Sequence, residues 1–151
     1  MSNTIRILKT IEMPEQDFDT GMIVFREGDP GDSFYIVRRG SVTVYKNYGK
    51  SDQLELAVVT AGRVLGELSA MDSRARSATA VATETSILTC VNAQSLKYQL
   101  DQCPPWFRAI VLDVVERLRV SGERLSKSGI APPAEHSSLK EFAKEEPKAK
   151  G

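Results

Sequence analysis

Gly62-Arg63-Val64-Leu65-Gly66-Glu67-Leu68-Ser69-Ala70-Met71-Asp72-Ser73-Arg74-Ala75-Arg76-Ser77-Ala78-Thr79 is the stretch that decides how this chain is read. Val64 and Leu65 end an apolar strand, and Gly66 follows where the backbone has to approach another group closely. Glu67 to Met71 has room for one short helical turn. The first N–H groups of such a turn lack intrahelical partners and attract anions, helped by the helix dipole. Nine residues after Glu67 stands Arg76, followed by Ser77 and Ala78. A guanidinium offers a bidentate fork to phosphate, and a hydroxyl or neighbouring amide adds another donor. One carboxylate and one arginine around bare amides suit a ligand that carries both a phosphate and a sugar hydroxyl. By itself the pair reads more readily as an ordinary salt bridge on a strand–turn element.

Upstream the texture is that of short strands. Met22-Ile23-Val24-Phe25 closes on the turn signal Gly28-Asp29-Pro30-Gly31-Asp32. Phe34-Tyr35-Ile36-Val37 leads through Arg38-Arg39-Gly40 into the alternating Val42-Thr43-Val44-Tyr45, a pattern that predicts a hairpin about Gly40. Arg38-Arg39-Gly40-Ser41 also has the look of a basic-directed kinase substrate, which that turn explains without any such role. Leu54 to Val59 alternates again, and Thr79–Ala82 and Ser86–Val91 supply two more strands. Several short strands at this spacing predict an antiparallel sandwich or roll.

Downstream the period changes. Asn92 is placed to cap a helix from about Ala93 to Asp101, and Pro104-Pro105 suits the start of another. Trp106, Phe107, Ile110, Val111, Val114, Val115 and Leu118 then recur at spacings of three and four, one apolar stripe read as core and lid packing, with Gly122 or Gly129 to end it. Three zones follow: an N-terminal segment over 1–19, an ordered domain over 20–127, and a flexible tail over 128–151 whose Pro, Ala, Lys and Glu cannot offset the entropy of ordering. Leu139 and Phe142 in the tail could at most form one helical turn on a partner.

Composition removes several function classes. Twenty basic and twenty acidic side chains cancel, whereas nucleic-acid binders carry a basic excess or stripe. No run approaches the roughly 18 apolar residues of a membrane span, and the N-terminus lacks the apolar core of a signal peptide, so membrane insertion is not expected and the cytoplasm is. Cys90, read as a buried apolar residue, and Cys103, a thiol between helices, build neither a disulfide framework nor, with His136, a zinc site. No motif pairs a nucleophile with a positioned base, so no enzyme and no metal are expected.

The cassette Gly66-Glu67-Leu68-Ser69 followed by Ala75-Arg76-Ser77-Ala78-Thr79 resembles the phosphate-binding cassette of cyclic nucleotide-binding domains, the superfamily of the catabolite activator protein, protein kinase regulatory subunits and nucleotide-gated channels. The likeness extends through Phe25 to Asp32, Tyr35 to Val37 and Gly40, and covers about residues 18–125. Ala75 stands where the family commonly has proline and Ser69 where it has alanine; neither change removes a ligand contact. The resemblance implies a mainly β fold with flanking α: an antiparallel eight-stranded β-roll, jelly-roll-like, with a short cassette helix and C-terminal hinge and lid helices.

It also implies a site. Glu67 is similar to the family glutamate that accepts from the ribose 2′-hydroxyl, and Arg76 to the arginine that pairs with the cyclic phosphate. Gly66 and the amides near Leu68, Ser69 and Ala78 would complete the cradle, with Ser77 assisting phosphate or a syn guanine. Val59, Val64 and Leu65 would form an apolar wall for the base, and Arg117 and Leu118 would fold over it from the lid. The implied function is a cyclic nucleotide sensor for cAMP or cGMP, coupled to lid movement and reporting to a protein effector in trans or in a larger polypeptide, as a monomer or as a dimer through the C-terminal helix. The alternative is a degenerate fold that binds protein and no nucleotide. A DNA-reading regulator is disfavoured, because the residues after Lys127 are proline-interrupted and charge-balanced.

Overall fold

The computed structural model describes residues 13–128. The expectations for the tail, including Leu139 and Phe142, and for His136 lie outside the described residues. Within them the order is β1 (Glu15–Phe18), β2 (Ile23–Phe25), β3 (Ser33–Arg39), β4 (Ser41–Lys46), β5 (Leu54–Thr60), β6 (Val64–Leu65), α1 (Glu67–Asp72), β7 (Thr79–Ala82), β8 (Ser86–Asn92), α2 (Ala93–Gln102) and α3 (Pro105–Ser128). The strands make two antiparallel four-stranded sheets, β1-β8-β3-β6 and β2-β7-β4-β5, with α1 set between β6 and β7 and the other two helices after the strands. This is the mainly β, α-flanked roll that the resemblance implied.

Alternation along the strands explains the core. Val37 opposes Leu88 in one sheet, and Val42 opposes Val59 and Ala82 in the other. Val37, Val42 and Leu88 are completely buried and, with Phe18, Tyr35, Leu65 and Ala80, fill the space between the sheets. Each large side chain buried this way contributes about 1.5–3 kcal/mol.

The connection at Gly40 is not the expected hairpin. β3 pairs with β6 and β8, and β4 with β5 and β7, so the chain changes sheets between Arg39 and Ser41. A single intervening residue is too short for the two-residue loop of a tight hairpin. Gly40 turns the corner at φ 92°, and a Cβ there would strike the Ser86 hydroxyl and come within 2.6 Å of the Thr85 carbonyl oxygen. The Ser41 amide donates to Ser86 Oγ at 3.1 Å, and Ser41 is buried, so it is no exposed phosphoacceptor. The hairpin lies one step later, between β4 and β5, where Asn47 Nδ2 donates to Asp52 Oδ2 at 2.9 Å across the loop.

The roll also begins earlier than the expected boundary at residue 20. β1 starts at Glu15 and pairs with β8, Glu15 opposite Thr89. Only Phe18 of its four residues is buried, so this edge strand shows no alternation to read. At the other end, Asn92 caps α2 through its side-chain oxygen, which accepts from the Gln94 amide at 2.7 Å. Pro105 opens α3, which passes Gly122 and continues to Ser128, since an interior glycine costs about 1 kcal/mol without breaking a helix. Among the described residues no helix is long and apolar enough to cross a membrane.

Candidate functional site

Arg76 is the centre of the site, and the fold over-determines its position. Its backbone is clamped to the turn after β2: the Arg76 amide donates to the Asp29 carbonyl at 2.8 Å, and the Gly28 amide donates to the Arg76 carbonyl at 2.9 Å. Its side chain turns inward and is 4% exposed. Nη1 donates to the Gly66 carbonyl at 2.8 Å and Nη2 to the Ser33 carbonyl at 2.6 Å, joining the mouth of the cassette to the start of β3. The guanidinium carbon lies 4.3 Å from the centre of the Phe25 ring, which in turn stacks on Tyr35 at 6.1 Å. A cation on an aromatic face gains electrostatically from the ring quadrupole.

Gly66 has to be glycine for this cradle to close. It adopts φ 77°, the left-handed conformation, and a Cβ would sit 2.5 Å from Arg76 Nη1 and 3.2 Å from Phe25 Cε1. Gly31 plays a spatial part on the far side: a Cβ there would lie 2.9 Å from the Ser69 carbonyl carbon, so the β2–β3 turn rests directly on α1.

Arg76 is a buried cation whose hydrogen-bonding partners are neutral, and its Nε is buried with no partner among the described residues. Burial depresses its pKa, opposed by the charges of Tyr35, Asp32 and Asp29, and a guanidinium stays protonated regardless. Burial, opposed in part by a hydrogen bond with Ser33, pushes the Tyr35 hydroxyl above its usual range. A buried positive charge with a spare N–H fits an anion chemically. Among the described residues no cluster of His, Cys, Asp and Glu is suited to a metal ion.

Several expected site residues gather here. Gly66, Glu67, Leu68 and Ser69 form the start of α1, with Glu67 and Leu68 partly buried and Ser69 buried. Ala78 is buried, whereas Ser77 is exposed, its carbonyl accepting from Lys46 Nζ at 3.0 Å. Val59 and Leu65 belong to the core between the sheets, and Val64 is partly buried next to Leu65. Cys90 is partly exposed while packing on that core, and Cys103 is partly exposed between α2 and α3.

Arg117 and Leu118 are not brought to the cassette. The Arg117 side chain is 78% exposed and pairs with Asp113 on the same helix at 2.9 Å, and Leu118 is also exposed. The apolar stripe of α3 divides the same way: Val115 is buried and Val111 partly so, but Trp106, Phe107, Ile110 and Val114 are exposed, so the expected core packing holds for the inner positions alone. The side chains that meet the cassette are Arg119 and Glu116. Arg119 grips Asp72 with two prongs, Nε to Oδ2 and Nη2 to Oδ1 at 2.8 Å, and Nη2 also reaches Ser69 Oγ at 3.3 Å. Glu116 pairs at 2.9 Å with Arg74. Ser33 and Asp72 carried no individual signal in the sequence, and Phe25 and Gly31 read there only as strand and turn residues. For Arg119 the usable hint was its spacing of four from Val115.

The cyclic nucleotide-binding domain profile matches residues 15–103, which hold the whole roll and cassette. The chain belongs to the cyclic nucleotide-binding domain family. It is 34% identical over 107 residues to the cAMP-dependent protein kinase regulatory subunit of Blastocladiella emersonii, covering 71% of this chain and 24% of that protein. It is 34% identical over 71 residues to the Cyclic AMP receptor protein of Thermus thermophilus, covering 47% of this chain and 33% of the relative. The chain therefore spans a quarter to a third of the length of these two relatives. Among solved structures, the EAL enzyme Bd1971 in its cAMP-bound form superposes with a TM-score of 0.69 at 26% identity, over 76% of this chain and 30% of that one. Its cGMP-bound form gives 0.66 at 28% identity, over 70% and 28%.

Proposed function

We infer that this cyclic nucleotide-binding domain is a sensor that takes cAMP or cGMP and reports occupancy through α3. The observation that carries the reading is Arg76: a buried guanidinium, oriented by two carbonyls and an aromatic face, with Nε unpartnered among the described residues. A cyclic phosphate supplies the missing negative charge. Glu67 then takes the ribose hydroxyl, the amides of Leu68, Ser69 and Ala78 complete the phosphate contacts from Gly66 onward, and Ser77 assists phosphate or base. Val59, Val64 and Leu65 give the base an apolar wall. Arg117 and Leu118 would reach the base only after a rotation of α3, so lid closure is a movement of this helix. The nucleotide leaves unchanged, and the signal passes to a protein effector in trans or in a longer polypeptide. Residues 20–127 with β1 added form the sensing unit.

A second reading rests on α3. Trp106, Ile110 and Val114 are 65%, 54% and 48% exposed, an apolar surface that suits a protein contact, either self-association through α3 or a degenerate fold acting without nucleotide. Calorimetry decides between the readings. Protein unfolded and refolded to strip carried-over ligand is titrated with cAMP and with cGMP. Saturable micromolar binding, about −8 kcal/mol, is expected for at least one, together with its loss in Arg76→Ala. No heat with both, on folded protein, overturns the sensor and leaves the interaction domain.

A further inference from the structure

We propose that the Asp72–Arg119 ion pair, with Ser69 as its third member, is the joint that couples the phosphate cassette to α3, making Arg119 a positioning residue for ligand binding. The proposal rests on the sensor reading for its ligand arm and on geometry alone for the rest. α1 is six residues long, too short to hold its own shape in water, so what it packs against sets its position. Gly31 supports it on one side, in the turn that also clamps the Arg76 backbone. Arg119 holds it on the other. The Asp72 and Arg119 side chains are 13% and 8% exposed, and the grip is two-pronged across 47 residues of sequence.

The contact leads on toward the anion site. Ser69 accepts from Arg119 Nη2 at 3.3 Å and donates to the Ala75 carbonyl at 3.3 Å, one residue before Arg76. The outer pair, Arg74 with Glu116, is more than half exposed on both sides and adds little by itself. Burial pushes the Asp72 carboxyl up, but the hydrogen bond from Arg119, the Arg74 amide and the two guanidinium charges outweigh it and leave it below its ordinary range. The pair is therefore ionised throughout the physiological range.

A buried ion pair is a poor substitute for apolar packing as a source of stability, and a good device for fixing one arrangement against its neighbours. Two prongs fix both the axial position and the rotation of α3 relative to Asp72. Sliding α3 by a turn strands two buried charges, so helix and cassette either move together or break the pair at once. That is a two-state element whose equilibrium both sites bias.

Reciprocity gives the test. Amide hydrogen exchange is measured on the full chain for the parent, Arg119→Gln, Arg119→Lys, Asp72→Asn and the Asp72→Asn/Arg119→Gln double variant, with and without cAMP, alongside calorimetric affinities and melting curves. Without ligand, Arg119→Gln is expected to deprotect the amides of α1 at Ala70 and of its cap at Ser73, and Asp72→Asn those of α3 from Val115 to Gly122, while β3 and β8 stay protected. With ligand, Arg119→Gln is expected to weaken cAMP binding at least tenfold and to abolish the cAMP-induced change in α3 exchange. Arg119→Lys, which keeps the charge without the fork, is expected to fall between parent and Arg119→Gln and serves if the glutamine variant does not fold. The double variant is expected to be no worse than either single change. Single variants whose exchange changes stay confined to their own element, or that bind as tightly as the parent or tighter, overturn the joint and leave an ordinary structural pair. A parent that binds neither cAMP nor cGMP overturns the sensor reading instead, and the ligand-free exchange still decides the joint.

Discussion

Arg76→Lys keeps the charge and removes the planar fork, and so measures what the geometry of Arg76 contributes. The guanidinium spans two carbonyls, Gly66 at 2.8 Å and Ser33 at 2.6 Å, while lying 4.3 Å from the Phe25 ring centre. An ammonium is a point donor that satisfies one of those carbonyls at a time. The loss of one charge-assisted hydrogen bond costs about 1.5–3 kcal/mol, and reduced contact with the ring about 0.5–1 kcal/mol. The sum, about 3 kcal/mol, corresponds to a fall in Tm of about 10 °C for a domain of this size. Calorimetric melting of parent and variant at pH 7 reads it directly. Titration with cAMP on the same samples is expected to show affinity about 10- to 100-fold weaker, because the Nε–H that stands unpartnered for the anion is lost with the guanidinium. A Tm within 2 °C of the parent would refute the reasoning, because the carbonyl clamp would then contribute nothing. A lowered Tm with unchanged affinity would refute the placement of the anion on Arg76.

Gly66→Ala is expected to destabilise the chain by about 1–2 kcal/mol from the left-handed backbone alone and to displace Arg76, so urea midpoint and cAMP affinity should fall together. Asn92→Ala removes the α2 cap and should cost about 1 kcal/mol in urea unfolding with cAMP affinity unchanged, because the cap lies outside the cassette. The folded-state pKa of Asp72 is depressed, so its contribution to stability is present above its unfolded value near 4 and disappears as pH falls through the folded one. Urea midpoints of Asp72→Asn and the parent should therefore differ most near neutrality and converge below about pH 4.

Elements with a local cause were legible in the sequence. Strands β4 and β5 follow from alternation, β3, β7 and β8 from short runs of strand-forming residues, α2 from Asn92 and α3 from Pro105, because each is determined by residues next to one another. Gly40 shows the limit: alternation and a glycine say that the chain turns, but the choice between a hairpin and a change of sheet depends on which strand edges are open elsewhere. β1 was hidden because three of its four side chains face solvent. Within the site, Glu67 and Arg76 stood out through the cassette pattern, whereas Phe25 and Ser33 reach Arg76 only after the roll has closed. Arg119 shows the same limit from α3. A charged residue beside an apolar stripe reads as solvated until Asp72, 47 positions earlier, is brought against it. The exposed half of the stripe followed from the same blindness, since spacing shows which side chains share a face and not what covers it.

The strand order also bears on how this chain comes to be folded. β8, the last strand among the described residues, lies between β1 and β3 in its sheet, and Thr89 pairs with Glu15 while Asn92 pairs with Ser33. Neither β1 nor the long edge of β3 has a partner until residues 86–92 have left the ribosome. At about 5–20 residues per second, synthesis leaves β3 waiting for seconds after its own emergence, with an open edge and Val37 uncovered. Pairings this distant also fold on the millisecond-to-second scale. The chain therefore passes every round of synthesis through an interval in which it is open to chaperones and to edge-to-edge aggregation, and a nonsense truncation before Ser86 would leave it there permanently.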